Sequence, residues 1–370
     1  MKVLVACGWP RGVGAAVHAG RLSAALRARG IVVRGVAVGD QGVADPELQV
    51  LEPESRESVT ERLSRAVREP VEIGHAEDPS AAVALLALRD EGRVTRVVST
   101  VHHLEGHAER EAEERERRAV QESDVVVCAS RWWADRIRSE FGVEATVVPH
   151  GVEAARFAGY GADRAAAGQV MGWGQRPVVL TLGGVQQRKG SRTLLEAFAR
   201  ARSRLGRGSL LVVAGPTEAS EFRTAWLEDA ERLGLAVGDA DAPRDACDVI
   251  ELGPVDAERM PLLYRATDVV ATPSTREGFG LGALEAAAAG VPNVLSDLPA
   301  FREHHVDEQS CLMVPVGDSG PLAIALVRAI REAPLRERLV EEGRRVAMSL
   351  SWDVSARSHE SIYRDLLTGI

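Results

Sequence analysis

The sequence predicts an α/β protein with two domains, each built on a doubly wound parallel sheet. Short apolar runs that are typical of buried strands alternate with helical segments along nearly the whole chain. Glycine-rich turns follow several of these runs. The chain has 370 residues, which is more than one hydrophobic core usually organises, so two domains are expected.

The strand signals fall into two similar series. The first series ends near Gly151, and its predicted strands are 2–7, 32–38, 71–75, 97–101, 125–129 and 146–149. The second series begins at Pro177, and its predicted strands are 177–180, 210–214, 249–252, 268–271, 293–296 and 311–314. Between them, residues 153–174 are rich in Gly and Ala and are expected to form a linker with one short helix. The tail from Trp352 to Leu367 has the pattern of an amphipathic helix.

Composition excludes several function classes. A net charge of −9 without a basic cluster argues against nucleic acid as a partner. No apolar run reaches the length of a membrane span, so a soluble, cytoplasmic protein is expected. The charged segment 109–118 is predicted to be a solvated helix face, with peripheral membrane docking as the alternative. The four cysteines are far apart and are interpreted as small buried residues in a reducing compartment.

The most informative motif is a glycine-rich turn between a predicted strand and a predicted helix. The run from Arg276 to Glu285 places two carboxylates, Glu277 and Glu285, eight residues apart around this turn. Backbone N–H groups at the start of the helix can hold a diphosphate, and carboxylates accept hydrogen bonds from sugar and ribose hydroxyls. The pattern therefore favours a site for a nucleotide sugar, the alternative being a solvated acidic pair.

This motif and its flanks resemble the retaining glycosyltransferases of family 4. The resemblance continues upstream through 253–268 and downstream through 290–297 and 317–318, and covers nearly the whole chain. It implies the GT-B fold, in which two Rossmann-like domains face a cleft. The expected domains are an acceptor-binding domain at 1–152, with the C-terminal helix 352–370 packed back on it, and a donor-binding domain at 153–351.

The resemblance also implies roles for the residues of the motif. Glu277 would contact the donor sugar and Glu285 the nucleotide ribose. The donor-binding residues expected around them are Val255, Gly278, Phe279, Gly280 and Leu281.

A second candidate element contains one of only two lysines in the chain, Lys189. It follows Arg188 in a loop after the predicted strand 177–180. A compact ammonium beside a guanidinium can neutralise a departing diphosphate. The resembled family has a basic pair in this position, and there Gly183 and Gly184 would let the backbone approach the phosphates. An exposed loop with incidental basic residues is the alternative.

The glycine loop near the N-terminus is a weaker signal. Gly12, Val13 and Gly14 follow the first predicted strand, but Val17 replaces the third glycine of a dinucleotide-binding fingerprint. The resemblance implies that this loop contacts the acceptor or the diphosphate. A plain turn is the alternative.

Three histidines lie close together after the predicted strand 97–101. A metal site on His103 and His107 is weakened by Gly106 and by the lack of further nearby ligands. The alternative is a single histidine at the carboxyl end of a strand, where open α/β sheets bind ligands. In the resembled family a His in the Thr-x-His position lies near the donor sugar, so His102 is the candidate here.

Three other features of the sequence are weaker candidates. Ser130 ends another predicted strand and is a candidate for a hydrogen bond to ligand. His150 departs from the residue that is usual in the resembled family, which puts a cleft role for it in doubt. Asp239 and Asp241 have the spacing of a metal-binding Asp-x-Asp motif but are interpreted as a surface loop with no strand before it, so no metal site is expected.

Together these features predict a retaining, metal-independent transfer of a hexose-type sugar from a nucleotide diphosphate to an acceptor hydroxyl. His102, Glu277, Arg188 and Lys189 are the candidate catalytic residues. No cofactor is expected, and the donor is a UDP- or GDP-sugar. The alternatives are an NAD-dependent oxidoreductase, a sugar-nucleotide epimerase of the same fold and a non-catalytic nucleotide-sugar binding protein. The sequence leaves the acceptor and the oligomeric state open.

Overall fold

Valine- and leucine-rich runs form the strands of two parallel sheets in the computed structural model. It describes residues 1–8, 14–38, 48–51, 58–102, 104, 110–158, 163–206, 208–217, 220–242 and 246–369. The chain divides into a first unit, residues 1–151 with 350–370, and a second unit, residues 152–349. Within the described residues, no helix combines the length and apolar character needed to cross a membrane.

The first unit alternates strands and helices. Its elements are β1 (Lys2–Cys7), α1 (Gly14–Ala28), β2 (Val32–Val38), β3 (Gln49–Leu51), α2 (Val59–Ala66), β4 (Val71–Ala76), α3 (Pro79–Asp90), β5 (Val94–Val101), α4 (Arg110–Gln121), β6 (Val125–Cys128), α5 (Arg131–Phe141) and β7 (Ala145–Val147). The sheet order is β3-β2-β1-β4-β5-β6-β7. The order reverses between β1 and β4, so the carboxyl ends of these two strands form the switch point where such sheets bind ligands.

The second unit repeats this plan. Its elements are α6 (Ala154–Ala158), α7 (Arg164–Val170), β8 (Val178–Leu182), α8 (Ser191–Leu205), β9 (Leu210–Ala214), α9 (Glu221–Arg232), β10 (Val237–Asp239), β11 (Val249–Gly253), α10 (Met260–Arg265), β12 (Val269–Thr272), α11 (Leu281–Ala289), β13 (Asn293–Ser296), α12 (Pro299–Arg302), β14 (Leu312–Val314), α13 (Ser319–Arg331) and α14 (Ala333–Ser349), with a turn of 3₁₀-helix at Ala257–Arg259. The sheet order is β10-β11-β9-β8-β12-β13-β14. The switch point here lies between β8 and β12.

The last helix, α15 (Trp352–Thr368), packs on α1 of the first unit. Ser351 caps its start by accepting a hydrogen bond from the Val354 N–H at 3.3 Å. Trp352 and Tyr363 are buried, which anchors the helix by its apolar face. Gly151 lies so close to the start of α15 that a Cβ on it would overlap the backbone of Trp352.

Three details differ from the sequence prediction. β3 and β10 were missed because each is a three-residue strand without an apolar run: β3 contains Gln49, and β10 contains Gly238 and Asp239. The segment 153–174 contains two short helices, not one. There, Trp173 is buried, so this segment is part of a packed domain and not a free linker. The four cysteines are all buried and none of them forms a disulfide, as expected.

Candidate active site

The strongest candidate site lies at the switch point of the second unit. The loop after β8 contains Arg188 and Lys189, and the loop after β12 contains Glu277. Because β8 and β12 are parallel neighbours, their following loops meet at one edge of the sheet. The sequence placed these residues in separate motifs, and the fold brings them together.

Lys189 and Glu277 form a direct ion pair. The Lys189 Nζ donates to Glu277 Oε1 at 2.5 Å, and the Ser274 hydroxyl donates to the same oxygen at 2.8 Å. Burial by itself raises the pKa of Glu277, but the Lys189 ammonium and then the Arg188 guanidinium lower it by more, so its pKa lies below the ordinary value. Glu277 is therefore an anion at neutral pH although its side chain is only 8% exposed. Ser274 was not predicted from the sequence.

Arg188 lies beside this pair. Its Nη1 is 3.8 Å from Glu277 Oε1, and its side chain is 39% exposed, against 19% for Lys189. The Thr275 N–H donates to the Arg188 carbonyl at 2.8 Å, which ties the two loops together through the backbone. The exposed guanidinium is thus held at a fixed place but remains available to an anionic ligand.

Gly183 and Gly184 lie in the loop after β8, and their approach to the phosphates stays a prediction. Their N–H groups both donate to the Ala214 carbonyl, at 2.7 and 3.0 Å, so these two donors already have a partner in the fold. Both glycines have positive φ, +105° and +74°. A Cβ on Gly184 would collide with the Pro216 carbonyl oxygen. The glycines permit close packing of the loop after β8 against the loop after β9.

This packing gives a testable prediction. We expect Gly184→Ala to destabilise the protein more than Gly317→Ala, a matched control with φ of +77° and no neighbour within 4 Å of its Cβ. Both variants place alanine in the left-handed region, at about 1–2 kcal/mol. Gly184→Ala adds a backbone overlap worth about 1–3 kcal/mol more. Urea unfolding of the two variants measures the difference, and equal midpoints would contradict the close packing.

The glycine turn before α11 supplies free backbone donors. Gly280 precedes the helix with φ of +89°, and a Cβ there would collide with the ring of Phe301. The first N–H groups of a helix have no partner within it, so those of Leu281 and Gly282 are placed to bind an anion. Phe279 is buried and its ring packs edge-on against His304 at 5.2 Å, while Gly278 and Leu281 are half-buried.

Glu285 lies one turn into α11 and is held by a tyrosine. The Tyr264 hydroxyl donates to Glu285 Oε2 at 2.8 Å and is 3.1 Å from the Gly282 carbonyl oxygen. Burial, and then the Glu285 carboxylate, raise the pKa of Tyr264 well above its ordinary value, so the hydroxyl stays a donor. Tyr264 was not predicted as a site residue. Val255, expected near the base, is half-buried in the turn after β11.

A second cluster of polar side chains lies at the switch point of the first unit. Glu77 follows β4, and its Oε2 accepts hydrogen bonds from His18 Nδ1 of α1 and His102 Nε2 after β5, both at 2.9 Å. The Glu77 and His18 side chains are 0% and 1% exposed, and that of His102 is 13% exposed. Burial by itself raises the pKa of Glu77, but the neighbouring histidines, His18 foremost, hold it well below the ordinary value. The sequence identified His102, but it missed Glu77 and His18.

Three further histidines surround this group, so that five of the nine in the chain converge. His150, in doubt from the sequence, is buried with its ring 4.3 Å from that of His18. His75 lies between the Thr100 hydroxyl, at 2.6 Å, and the Tyr363 hydroxyl, at 2.5 Å. Burial lowers the pKa of His75 to about 4 and that of His359 to about 3, and it lowers the pKa of His150 well below its ordinary value. These three rings are neutral at pH 7.

The remaining predicted positions are less central. Gly12 and Val13 lie outside the described residues, as do His103 and His107, and Gly14 is the exposed first residue of α1. The Ser130 hydroxyl is fully buried and caps α5 by accepting a hydrogen bond from the Trp133 N–H at 3.4 Å, a structural role.

The Asp-x-Asp segment differs from its prediction in one respect. A strand does precede it, since Asp239 ends β10. The Asp241 N–H donates to Asp239 Oδ1 at 2.9 Å, which closes a local turn. Across the described ranges, the three side chains close enough to share a metal ion are His18, Glu77 and His102.

Family comparisons agree with the two-unit architecture. Residues 13–156 match the family model described as Glycosyltransferase Family 4, and residues 176–332 match the one described as Glycosyl transferases group 1. Between them the two matches span most of the chain.

Named relatives are glycosyltransferases. The chain is 31% identical over 260 residues to a D-inositol 3-phosphate glycosyltransferase of Salinispora arenicola, covering 67% of this chain and 56% of that protein. It is 37% identical over 147 residues to a phosphatidyl-myo-inositol mannosyltransferase of Mycobacterium leprae, covering 38% of this chain and 39% of that protein. The chain spans about half the length of the curated relatives it matches.

Solved structures share the fold over nearly the full length. Anabaena HepE in complex with UDP and glucose superposes with a TM-score of 0.81 at 17% identity, covering 98% of this chain and 99% of that one. The sucrose-phosphate synthase from Thermosynechococcus elongatus superposes with a TM-score of 0.78 at 21% identity, covering 99% of this chain and 100% of that one. With its two seven-stranded parallel sheets and matches in both units, the chain belongs to the family 4 glycosyltransferases of the GT-B fold.

Proposed function

We propose that this chain transfers a sugar from a nucleoside diphosphate to an acceptor hydroxyl, with retention of anomeric configuration and without a metal ion. The observation that supports this most is the buried Lys189–Glu277 ion pair beside the start of α11. The ion pair and the start of α11 together place fixed positive charge, backbone amides and a carboxylate at the switch point between β8 and β12. A diphosphate and a sugar need these three groups together.

Each group binds a different part of the donor. Arg188, Lys189 and the amides of Leu281 and Gly282 stabilise the diphosphate as it departs. Glu277 accepts hydrogen bonds from sugar hydroxyls, and Glu285 accepts them from the ribose. In the first unit, we assign His102 to a substrate hydroxyl.

The bond from the anomeric carbon to the phosphate oxygen breaks as the bond to the acceptor oxygen forms. Positive charge develops on the sugar and negative charge on the leaving phosphate. The acceptor's proton passes to a phosphate oxygen on the same face of the sugar, so that configuration is retained. Preorganised charge around the leaving group then supplies most of the acceleration.

The relatives narrow the choice of substrates to test. HepE structures contain UDP and UDP-glucose, so UDP is the proposed nucleotide. The curated names contain D-inositol 3-phosphate and phosphatidyl-myo-inositol, so an inositol phosphate is the first acceptor to try. An oxidoreductase is not favoured, because it leaves the Lys189–Glu277 pair without a purpose.

Thermal unfolding against UDP, GDP, ADP, TDP and NAD, each with and without EDTA, tests this proposal. A ligand at a hundred times its Kd adds about 2.7 kcal/mol of stability. We expect one nucleoside diphosphate to raise the melting temperature equally with and without EDTA, and NMR of the transfer product to show a retained anomer. Stabilisation by NAD alone would overturn the proposal, and a shift that needs Mn²⁺ would overturn its metal independence.

A further inference from the structure

The buried carboxylate of Glu77 has no part in the donor site, yet it contacts the one candidate catalytic residue of the first unit. It follows β4 directly, at the edge where His102 follows β5. Glu77, His18 and His102 come from three separate elements. In the chain, Glu77 is 59 residues from His18 and 25 residues from His102. Their meeting is therefore a product of the fold and not of a local turn.

We propose that Glu77 is a positioning residue for His102: its carboxylate holds the His102 proton on Nε2 and leaves Nδ1 as a hydrogen-bond acceptor for a substrate hydroxyl. This rests on the proposed function, in which His102 meets such a hydroxyl.

Glu77 Oε2 lies 2.9 Å from a ring nitrogen of His18 and 2.9 Å from a ring nitrogen of His102, which is the geometry of an ionised carboxylate oxygen that accepts from both rings. An ionised carboxylate can only accept hydrogen bonds, so both ring nitrogens that contact Oε2 must donate. His18 therefore has its proton on Nδ1 and His102 has its proton on Nε2. In a neutral imidazole the other nitrogen is then an acceptor.

The rings of His18 and His102 differ in their exposure to solvent. His18 is enclosed by the rings of His150 at 4.3 Å and Trp352 at 5.2 Å, and its side chain is 1% exposed. His102 is 13% exposed and lies at the ligand-binding edge of the sheet. Of the two rings that Glu77 orients, His102 is the one that can reach a substrate.

The second oxygen of Glu77 indicates that this carboxylate is not retained for stability alone. Among the residues that the structure describes, none donates a hydrogen bond to Oε1, although it is buried. The nearest histidine nitrogen, His75 Nε2, is 3.9 Å away and is already bonded to the Thr100 hydroxyl. A buried oxygen without a donor is unfavourable, so a purely structural role for this carboxylate leaves that cost unexplained.

Glu77→Leu tests the proposal because it removes both oxygens and keeps a side chain of similar size. Without an acceptor at the position of Oε2, neither ring nitrogen keeps its bond, and nothing holds the His102 proton on Nε2. We expect kcat to fall on the order of tenfold to a hundredfold, as for other residues that orient a functional histidine, with KM for the donor nearly unchanged. Glu77→Asp, which keeps the charge, should restore part of kcat.

Tautomers are read directly from ¹⁵N–¹H correlation spectra of the histidine rings, independently of activity. In the unmodified protein we expect His102 to be protonated on Nε2 and bare on Nδ1. This pattern should be lost in Glu77→Leu and kept in Glu77→Asp. Ser99→Ala is the control, since Ser99 lies on β5, the strand that His102 follows, and the variant removes a part-buried hydrogen bond of 2.7 Å to the Ser123 hydroxyl without touching the cluster. It should change neither the tautomer nor kcat.

The outcomes separate the two proposals. If His102→Ala abolishes transfer while Glu77→Leu keeps kcat and the tautomer, the positioning role is wrong and the proposed function stands. If variants of Lys189 and Glu277 both transfer normally, the proposed function fails, and the spectra still decide the tautomer. Stoichiometric zinc in the purified protein, with both rings bare at the nitrogens facing Glu77, would overturn the positioning role in favour of a metal site.

Discussion

Glu277→Ala is expected to lower sugar transfer about a hundredfold or more. One preorganised charge contact to the reacting group is usually worth that much. The contacts of Glu277 explain this expectation. The Lys189 ammonium at 2.5 Å and the Ser274 hydroxyl at 2.8 Å hold the Glu277 carboxylate in place, so it can bind the substrate without reorganisation. Steady-state kinetics with a UDP-sugar measure the loss.

Stability must be separated from catalysis in this variant. Removal of Glu277 leaves Lys189 with a side chain only 19% exposed and without this partner, and breaking a buried pair can cost about 3–5 kcal/mol. Asp229→Asn is a matched control. Asp229 is 6% exposed and pairs with Arg192 and Arg232 in the same unit, outside the candidate site. Because Arg192 and Arg232 are 49% and 67% exposed, we expect this control to lose less stability than Glu277→Ala, and to keep transfer within about twofold of normal.

The same ion pair sets a pH dependence of stability. The folded-state pKa of Glu277 lies below the ordinary value of 4.5, so the pair contributes its full stability above that pH. The contribution is lost as the pH falls through the folded-state pKa. In Glu277→Gln, the free energy of unfolding should therefore fall less steeply as the pH is lowered.

Near-normal transfer by Glu277→Ala, at a temperature where this variant is folded, would rule out the catalytic role assigned to Glu277.

How far the sequence predicts this site depends on how local each signal is. Glu277, Glu285 and Lys189 each lie in a strand–turn–helix pattern that is visible in about a dozen residues. Their convergence follows from one rule, that ligands meet the carboxyl ends of parallel strands at a switch point. The strands before them were recognisable because buried parallel strands are nearly continuous apolar runs.

The Glu77 cluster could not be found in this way. A lone glutamate after a strand has no distinctive pattern, and the adjacent Asp78 has the ordinary role of capping α3. The role of Glu77 can be recognised only in the folded protein, where α1, β4 and β5 pack together and two histidines contact its carboxylate. One signal was available: Glu77 follows a predicted strand at the same edge as His102. Likewise, no sequence pattern shows that Tyr264 supports Glu285, because α10 and α11 meet only in the fold.

Lys189→Ala is expected to lower sugar transfer by a similar factor, about a hundredfold or more. The mechanism of the loss differs from that in Glu277→Ala and can be measured separately. The ammonium acts on the leaving diphosphate, so the variant should bind UDP more weakly by tenfold or more, while its affinity for uridine should hardly change. Lys189→Arg should not restore activity, because a planar guanidinium does not replace a compact ammonium packed against a carboxylate. Calorimetric titration with UDP and uridine makes this comparison.

The chain offers an unusually clean control, because its only other lysine is Lys2. Lys2 pairs with Glu69 at 3.0 Å on the surface, with side chains 54% and 79% exposed. Such exposed pairs contribute little, so Lys2→Ala should leave transfer and UDP affinity unchanged.

Loss of Lys189 also has a consequence for Glu277. Burial raises the pKa of that carboxyl, and in the native protein Lys189 is the largest opposing influence. Without the ammonium the Glu277 pKa must rise, so the residual activity of Lys189→Ala should decline at a higher pH on the acid side than that of the unmodified protein. An acid limb that stays in place, together with unchanged UDP affinity, would show that Lys189 neither binds the diphosphate nor keeps Glu277 ionised.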